Sequence, residues 1–248
     1  NEVWMYRLVA RYFLEQGWAV AKPSYRTYPD GDIPSQVQDL ELAASVLESK
    51  YPNLTKRAKT ITFMGHSSGS HILAMMLVTR AKQKLQDAAT SFPLECDEFV
   101  GISTPFNLSQ HFDYEAARGV EELSPLKAVA HFTRQGMDEQ SPALQLVRLA
   151  KDVKDETRLQ TAFPPRMLFV HGMDDTTVPF ATTSETARVF RSCGLLQVTE
   201  LYLPKVGHEE AVLQLMMGGI CPERVIEWMK TVGRESTGSA TVAAQSRL

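Results

Sequence analysis

The spacing of apolar residues changes from segment to segment along this chain, and each change marks an element. Trp4, Leu8, Val9, Tyr12 and Phe13 recur every third or fourth residue and predict an opening helix that stops at Gly17. Trp18-Ala19-Val20-Ala21 follows as a short buried strand, and residues 23–31 are rich in turn formers. Pro34 opens a helix in which Val37, Leu40, Ala44 and Leu47 share one side as far as Lys50. Ile61 to Met64 then reads as a strand, and Ile72, Leu73, Met76 and Leu77 return to helical spacing. Further strands are predicted over 97–103, 166–170 and 198–203, with helices over 182–193 and about 209–229. Residues 106–163 carry no strand pattern, only helix-like pieces with the aromatic residues Phe106, His111, Phe112, Tyr114 and Phe132. An insertion of that length between strands reads as a lid. Strands alternating with helices predict an α/β fold with a mostly parallel sheet covered on both faces.

The candidate chemistry sits where the fourth of these patterns changes period. Gly65-His66-Ser67-Ser68-Gly69 joins the 61–64 strand to the following helix, a G-x-S-x-G sequence in the order strand, sharp turn, helix. Such a turn holds its serine in a strained conformation with Oγ exposed, and glycine lets neighbouring chain pass close by. A serine hydroxyl needs a general base within reach and a carboxylate to orient that base. Two later loops supply both, each directly after a predicted strand: His171-Gly172-Met173-Asp174-Asp175 and Gly207-His208-Glu209-Glu210. His66, second in the turn, is positioned to shape the surroundings of Ser67, and His171 to pack beside the acid loop. Arg26 and Asp39 read as polar groups that stabilise the fold.

Composition narrows the partners. With 248 residues, 44% hydrophobic, the chain has enough material for one large core. Its 26 basic and 29 acidic residues leave a net charge of −3, which gives no reason to expect a nucleic-acid partner. Cys96, Cys193 and Cys221 are odd in number and widely spaced, so neither a disulfide framework nor a zinc site is expected, and reduced thiols fit an intracellular protein. His66 and His71 lack the i, i+4 spacing of a helical metal pair, and no cofactor motif is present. No apolar run reaches the length of a membrane span.

These motifs resemble the α/β-hydrolase superfamily. His171-Gly172, Asp175 and Val178-Pro179 are similar to its acid loop, and Gly207-His208 to its histidine loop. The resemblance implies Ser67 as nucleophile, Asp175 as acid with Asp174 as its rival, and His208 as base. It places one oxyanion donor on the N–H of Ser68. Tyr25-Arg26, Tyr28-Pro29, Asp39, residues 99–103, Asn107-Leu108, His111-Phe112 and Ser124-Pro125 resemble the esterase branch that includes prenylcysteine methylesterases and kynurenine formamidase-like enzymes. That branch implies a small-molecule ester as substrate, a prenylcysteine methyl ester among the candidates. Phe106, His111 and Phe112 are the residues to line an acyl or prenyl pocket, with ordinary lid packing as the alternative. A formamide substrate, or ligand binding without catalysis, stays open. The superfamily's H-G-G-G-type loop, source of a second oxyanion donor, has no counterpart here. The expectation is therefore a chain truncated at its N-terminus, lacking a strand between those at 18–21 and 61–64. One hydrolase domain is expected over 1–232 with its lid at about 106–163, and a disordered tail over 233–248. The closing Ser246-Arg247-Leu248 resembles a peroxisomal address, so cytoplasm or peroxisome is the expected location, with an endomembrane, reached through a missing anchor, as the rival.

Overall fold

A computed structural model describes residues 6–129, 131, 133–153 and 155–231. Trp4, Phe132, the 233–248 tail and its closing tripeptide lie outside the described residues. Four parallel strands form one sheet in the order β1 (Thr62–His66), β2 (Glu98–Ile102), β3 (Arg166–Gly172), β4 (Val198–Leu203). Spatial order follows chain order, and every strand is joined to the next through at least one helix, as parallel neighbours require.

The side chains of β2, β3 and β4 sort by parity. Phe99, Met167, Phe169 and Val198 point into one cluster, which α4 (Ser68–Gln86), α8 (Pro142–Asp152), α9 (Glu156–Ala162) and α10 (Ala181–Ser192) close. Val100, Ile102, Leu168, Val170 and Leu203 point into the opposite cluster, covered by α1 (Arg7–Glu15), α11 (His208–Met217) and α12 (Ile220–Lys230). A strand buried on both sides reads as a continuous apolar run, which is why the period-2 signal is weak at 99–102 while the strand itself is plain. The third cluster seats α2 (Ile33–Lys50) on α4 through Ile33, Val37, Leu40, Ile72 and Met76. Arg26 and Asp39 join the preceding loop to α2, the guanidinium and the Arg26 N–H both donating to the carboxylate at 2.8 to 3.1 Å. The short α3 (Pro52–Arg57) then leads to β1.

One expectation is corrected. No strand forms over residues 18–21: among the described residues β1 is the edge of the sheet and pairs only with β2, and Val20 is exposed while Trp18 turns its ring onto Phe13. A strand is defined by its neighbour, which an apolar tetrapeptide does not guarantee. The helical region expected over about 209–229 is present as two helices, divided where Gly218 and Gly219 take φ of 91° and 148°. The 106–163 insertion is helical throughout its elements, as α5 (Leu108–Ala117), a 3₁₀ turn (Glu121–Leu123), α6 (Leu126–Val129), α7 (Arg134–Glu139), α8 and α9. Leu146 of α8 and Leu159 of α9 are buried in the cluster against the sheet, while Leu108 of α5 and Met137 of α7 are buried in the α2–α4 cluster.

No helix among the described residues is long and apolar enough to cross a membrane. The three cysteines are unpaired thiols, with Cys96 and Cys221 buried.

Candidate active site

All three residues of interest stand beyond the C-terminal ends of strands of the one sheet, β1, β3 and β4, which is where a parallel sheet delivers its loops to a common edge. Ser67 follows β1 and caps α4 with φ 53° and ψ −126°, a region L-residues avoid. Its N–H donates to the Ile102 carbonyl at 2.9 Å and its own carbonyl accepts from His71, so the strained residue is fixed from both sides. Gly65 makes the turn possible: a Cβ there would lie 2.6 Å from Ser70 Cα. Gly69 is under no such constraint, since its nearest neighbour would be the Tyr25 hydroxyl at 3.5 Å, ordinary contact. The expectation of close passage on both sides of the serine thus holds for the first glycine alone.

Asp175 lies in the loop after β3 and His208 opens α11 after β4. These two loops touch: a Cβ on Gly172 would stand 2.1 Å from the Val206 carbonyl oxygen. Met173 N–H donates to Leu203 O and Asp174 N–H to Val206 O, which ties the acid loop to the approach to His208. Gly207 N–H donates to the Glu210 carboxylate at 2.7 Å and fixes the start of α11.

Side chains converge accordingly. Ser67 Oγ lies 2.9 Å from His208 Nε2, and His208 Nδ1 lies 2.8 Å from Asp175 Oδ2. Asp175 is fully buried at its side chain while Asp174 is exposed, so geometry selects the former. Burial opposes the charge of Asp175. It is outweighed by hydrogen bonds from His171 and His208 and from the Val178 N–H, which hold the carboxyl well below the usual carboxylate range. Oδ1 also accepts from the Thr177 N–H at 2.9 Å and from Val178 at 2.8 Å. The anion therefore stays charged and stationary beneath an imidazole that can gain a proton. In that arrangement a hydroxyl can be deprotonated as it attacks a carbonyl carbon.

Ser68, the first residue of α4, carries one of the N–H groups that a helix's first turn leaves without an internal acceptor. The pocket candidates separate. His111 of α5 is buried close enough to His208 and Asp175 to feel both charges; burial first, then the His208 ring, pushes its pKa down to about 4. Its Nε2 is 3.6 Å from Glu115, and its Nδ1 has no hydrogen-bond partner among the described residues. Phe106 is 1% exposed and packs against Phe99, Phe169 and Phe190, so it belongs to the core and lines no pocket. Phe112 packs onto the α2–α4 cluster, with Lys127 and Arg134 over its ring.

Two contacts lay beyond sequence reasoning. His171 packs beside the acid loop as expected, and it also reaches Asp175: its Nε2–H donates to the Val178 carbonyl at 2.8 Å with Asp175 Oδ2 at 3.2 Å, while Nδ1 accepts from the Thr183 hydroxyl. The Tyr114 hydroxyl of α5 and the guanidinium of Arg118, just past its end, both donate to the Thr176 carbonyl, tying this helix to the acid loop. No cluster of metal-ligating side chains occurs among the described residues.

The fold recurs in solved esterases. Esterase B from Lactobacillus rhamnosis superposes with a TM-score of 0.70 at 17% identity, over 94% of this chain and 71% of that one. A thermophilic esterase from Thermogutta terrifontis gives 0.59 at 16% identity, over 92% and 75%. In sequence, the chain is 26% identical over 214 residues to a "Probable isoprenylcysteine alpha-carbonyl methylesterase" of Oryza sativa subsp. japonica, covering 84% of this chain and 48% of that protein. It is 25% identical over 210 residues to the isoprenylcysteine alpha-carbonyl methylesterase of Arabidopsis thaliana, covering 84% and 47%. The chain thus spans about half the length of these curated relatives. The BD-FAE family model matches residues 2–189, most of the chain, which therefore belongs to the BD-FAE family, an esterase branch of the α/β-hydrolase superfamily.

Proposed function

We propose that this protein is a serine hydrolase of carboxylic esters in which Ser67 is the nucleophile, His208 the general base and Asp175 the acid that orients it. The observation that carries the reading is the unbroken relay from Ser67 Oγ through the His208 ring to a buried, charged Asp175. Ser67 attacks the ester carbonyl as Nε2 of His208 takes its proton. The imidazolium, held by Asp175, then returns that proton to the departing alkoxide, leaving an acyl-enzyme that water cleaves by the same route. The N–H of Ser68 faces the developing oxyanion as one donor, and losing such a donor costs on the order of 10² to 10³ in rate.

Similarity to the plant methylesterases supports a methyl ester of a prenylated cysteine as the substrate class. The burial of His111 near His208 and Asp175 supports it as the α5 residue that the substrate meets. A panel of p-nitrophenyl esters of increasing acyl length, run on the wild-type chain and on Ser67→Ala, tests the proposal. Hydrolysis that disappears in Ser67→Ala is the expected result. Equal rates for the two proteins turn the reading toward ligand binding without catalysis, and Ser67-dependent cleavage of formamides but not esters turns it toward a formamidase.

A further inference from the structure

We infer that His66 is a positioning residue for the base: by donating its Nε2–H to the main-chain carbonyl of His208, it fixes the backbone from which the His208 imidazole reaches Ser67. The inference rests on the relay proposed above. His66 Nε2 lies 3.0 Å from His208 O, and the two ring centroids are 4.7 Å apart with planes inclined at 51°. A carbonyl oxygen only accepts, so the hydrogen must be on Nε2. His66 is neutral around pH 7, because burial first and the neighbouring His208 ring second bring its pKa down to about 4. The ring on Nε2–H is then a donor that carries no charge of its own to oppose an imidazolium on His208.

What makes this bond more than a surface contact is where its two ends are rooted. His66 closes β1, paired with Ile102 on the neighbouring strand, and it is covalently joined to Ser67. His208 is the first residue of α11, 142 positions away along the chain. The nucleophile and the base are therefore connected twice, once through Ser67 Oγ and His208 Nε2 and once through their backbones by way of His66. The first connection must break and re-form as the proton moves. The second is unaffected by that movement, and it holds the His208 backbone while the imidazole turns from Oγ toward the leaving group. Positioning of this kind acts on the reaction step, where small misplacements are expensive, and much less on substrate binding.

The test compares His66→Phe, which keeps a ring and loses the donor, with His66→Gln, whose amide nitrogen falls near the place of Nε2. Ser67→Ala is the control for the active-site reading, and steady-state p-nitrophenyl ester hydrolysis the assay. Expected are a fall in kcat of about three- to tenfold for His66→Phe, the range one net hydrogen bond spans, an unaltered KM, and recovery of most of the loss in His66→Gln. A residue that only fills the turn predicts no recovery by glutamine. His66→Phe matching wild type, or glutamine as impaired as phenylalanine, overturns the inference while leaving the hydrolase reading intact. Wild-type hydrolysis no greater than that of Ser67→Ala overturns both. If the variants do not fold, ¹⁵N spectra of the wild-type histidines decide: an Nε2–H tautomer at His66 is expected, and an Nδ1–H tautomer contradicts the bond.

Discussion

Gly172 and Val206 pass so closely that a single methyl group on the first would stand 2.1 Å from the carbonyl oxygen of the second. This crossing brings the loop of Asp175 against the loop of His208 and sets the distance between their side chains. The obstructing atom belongs to the backbone and cannot rotate away, so Gly172→Ala must push the loops apart. Overpacking of this kind costs about 1–3 kcal/mol, and in a chain of this size about 2–4 °C of Tm per kcal/mol. Thermal unfolding should show a loss of several degrees, and ester hydrolysis a disproportionate fall, because the acid and base separate along the direction in which they interact.

Asp174 and Asp175 are adjacent in sequence and opposite in surroundings, one in water and one buried under the imidazole. Asp175→Asn should leave the geometry and lower kcat by roughly 10⁴, the cost of presenting the wrong partner to a catalytic histidine. Asp174→Asn should stay within about twofold, as surface changes usually do. Steady-state kinetics on the pair distinguishes them.

Three histidines, His66, His71 and His111, are each held neutral down to about pH 4, burial being the first cause in all three. The unfolded chain takes up those protons near pH 6.5. Between the two values the unfolded state binds more protons, so stability falls as the pH is lowered, by up to about 1.4 kcal/mol per pH unit for each group. Asp175 acts in the same sense further down: its depressed carboxyl contributes stability above about pH 4, and that contribution is lost at lower pH. Urea midpoints measured from pH 7 to pH 4.5 should decline steadily. In His71→Gln the decline should be shallower, since one of the three histidines no longer titrates.

Tyr114 and Arg118 fasten α5 to the acid loop through one carbonyl, that of Thr176. The double variant Tyr114→Phe with Arg118→Ala releases both donors and leaves the relay untouched. Each net hydrogen bond is worth about 0.5–1.5 kcal/mol. The prediction is a rise in KM for long-chain esters of about three- to tenfold at nearly constant kcat. A fall in kcat with constant KM would place the clamp's effect on the reaction step instead.

Much of this arrangement was legible in the sequence because it depends on local patterns. The strand, turn and helix around Ser67 have their own signatures, Asp175 follows a strand with a plain apolar run, and His208 follows one that alternates. What stayed hidden depends on neighbours. Residues 18–21 have the composition of a strand, but only a ladder partner makes one. Phe106 follows β2 closely enough to suggest a pocket wall, and nothing in its letter shows that its ring turns inward to Phe169 and Phe190. The partner of His66 is a backbone carbonyl, which every residue possesses, so no spacing could have announced it. The insertion reads as uniform because its helices differ in the cluster they pack into rather than in their own pattern.

The central claim is that Ser67 is an activated nucleophile, and covalent labelling addresses it without assuming a substrate. A fluorophosphonate probe is incubated with the wild-type chain, with Ser67→Ala and with His208→Ala, and the modified peptide is located by mass spectrometry. The account predicts one adduct, on Ser67, lost in Ser67→Ala and strongly reduced in His208→Ala. An unlabelled wild-type chain, or an adduct on Ser67 that is indifferent to His208, would contradict it.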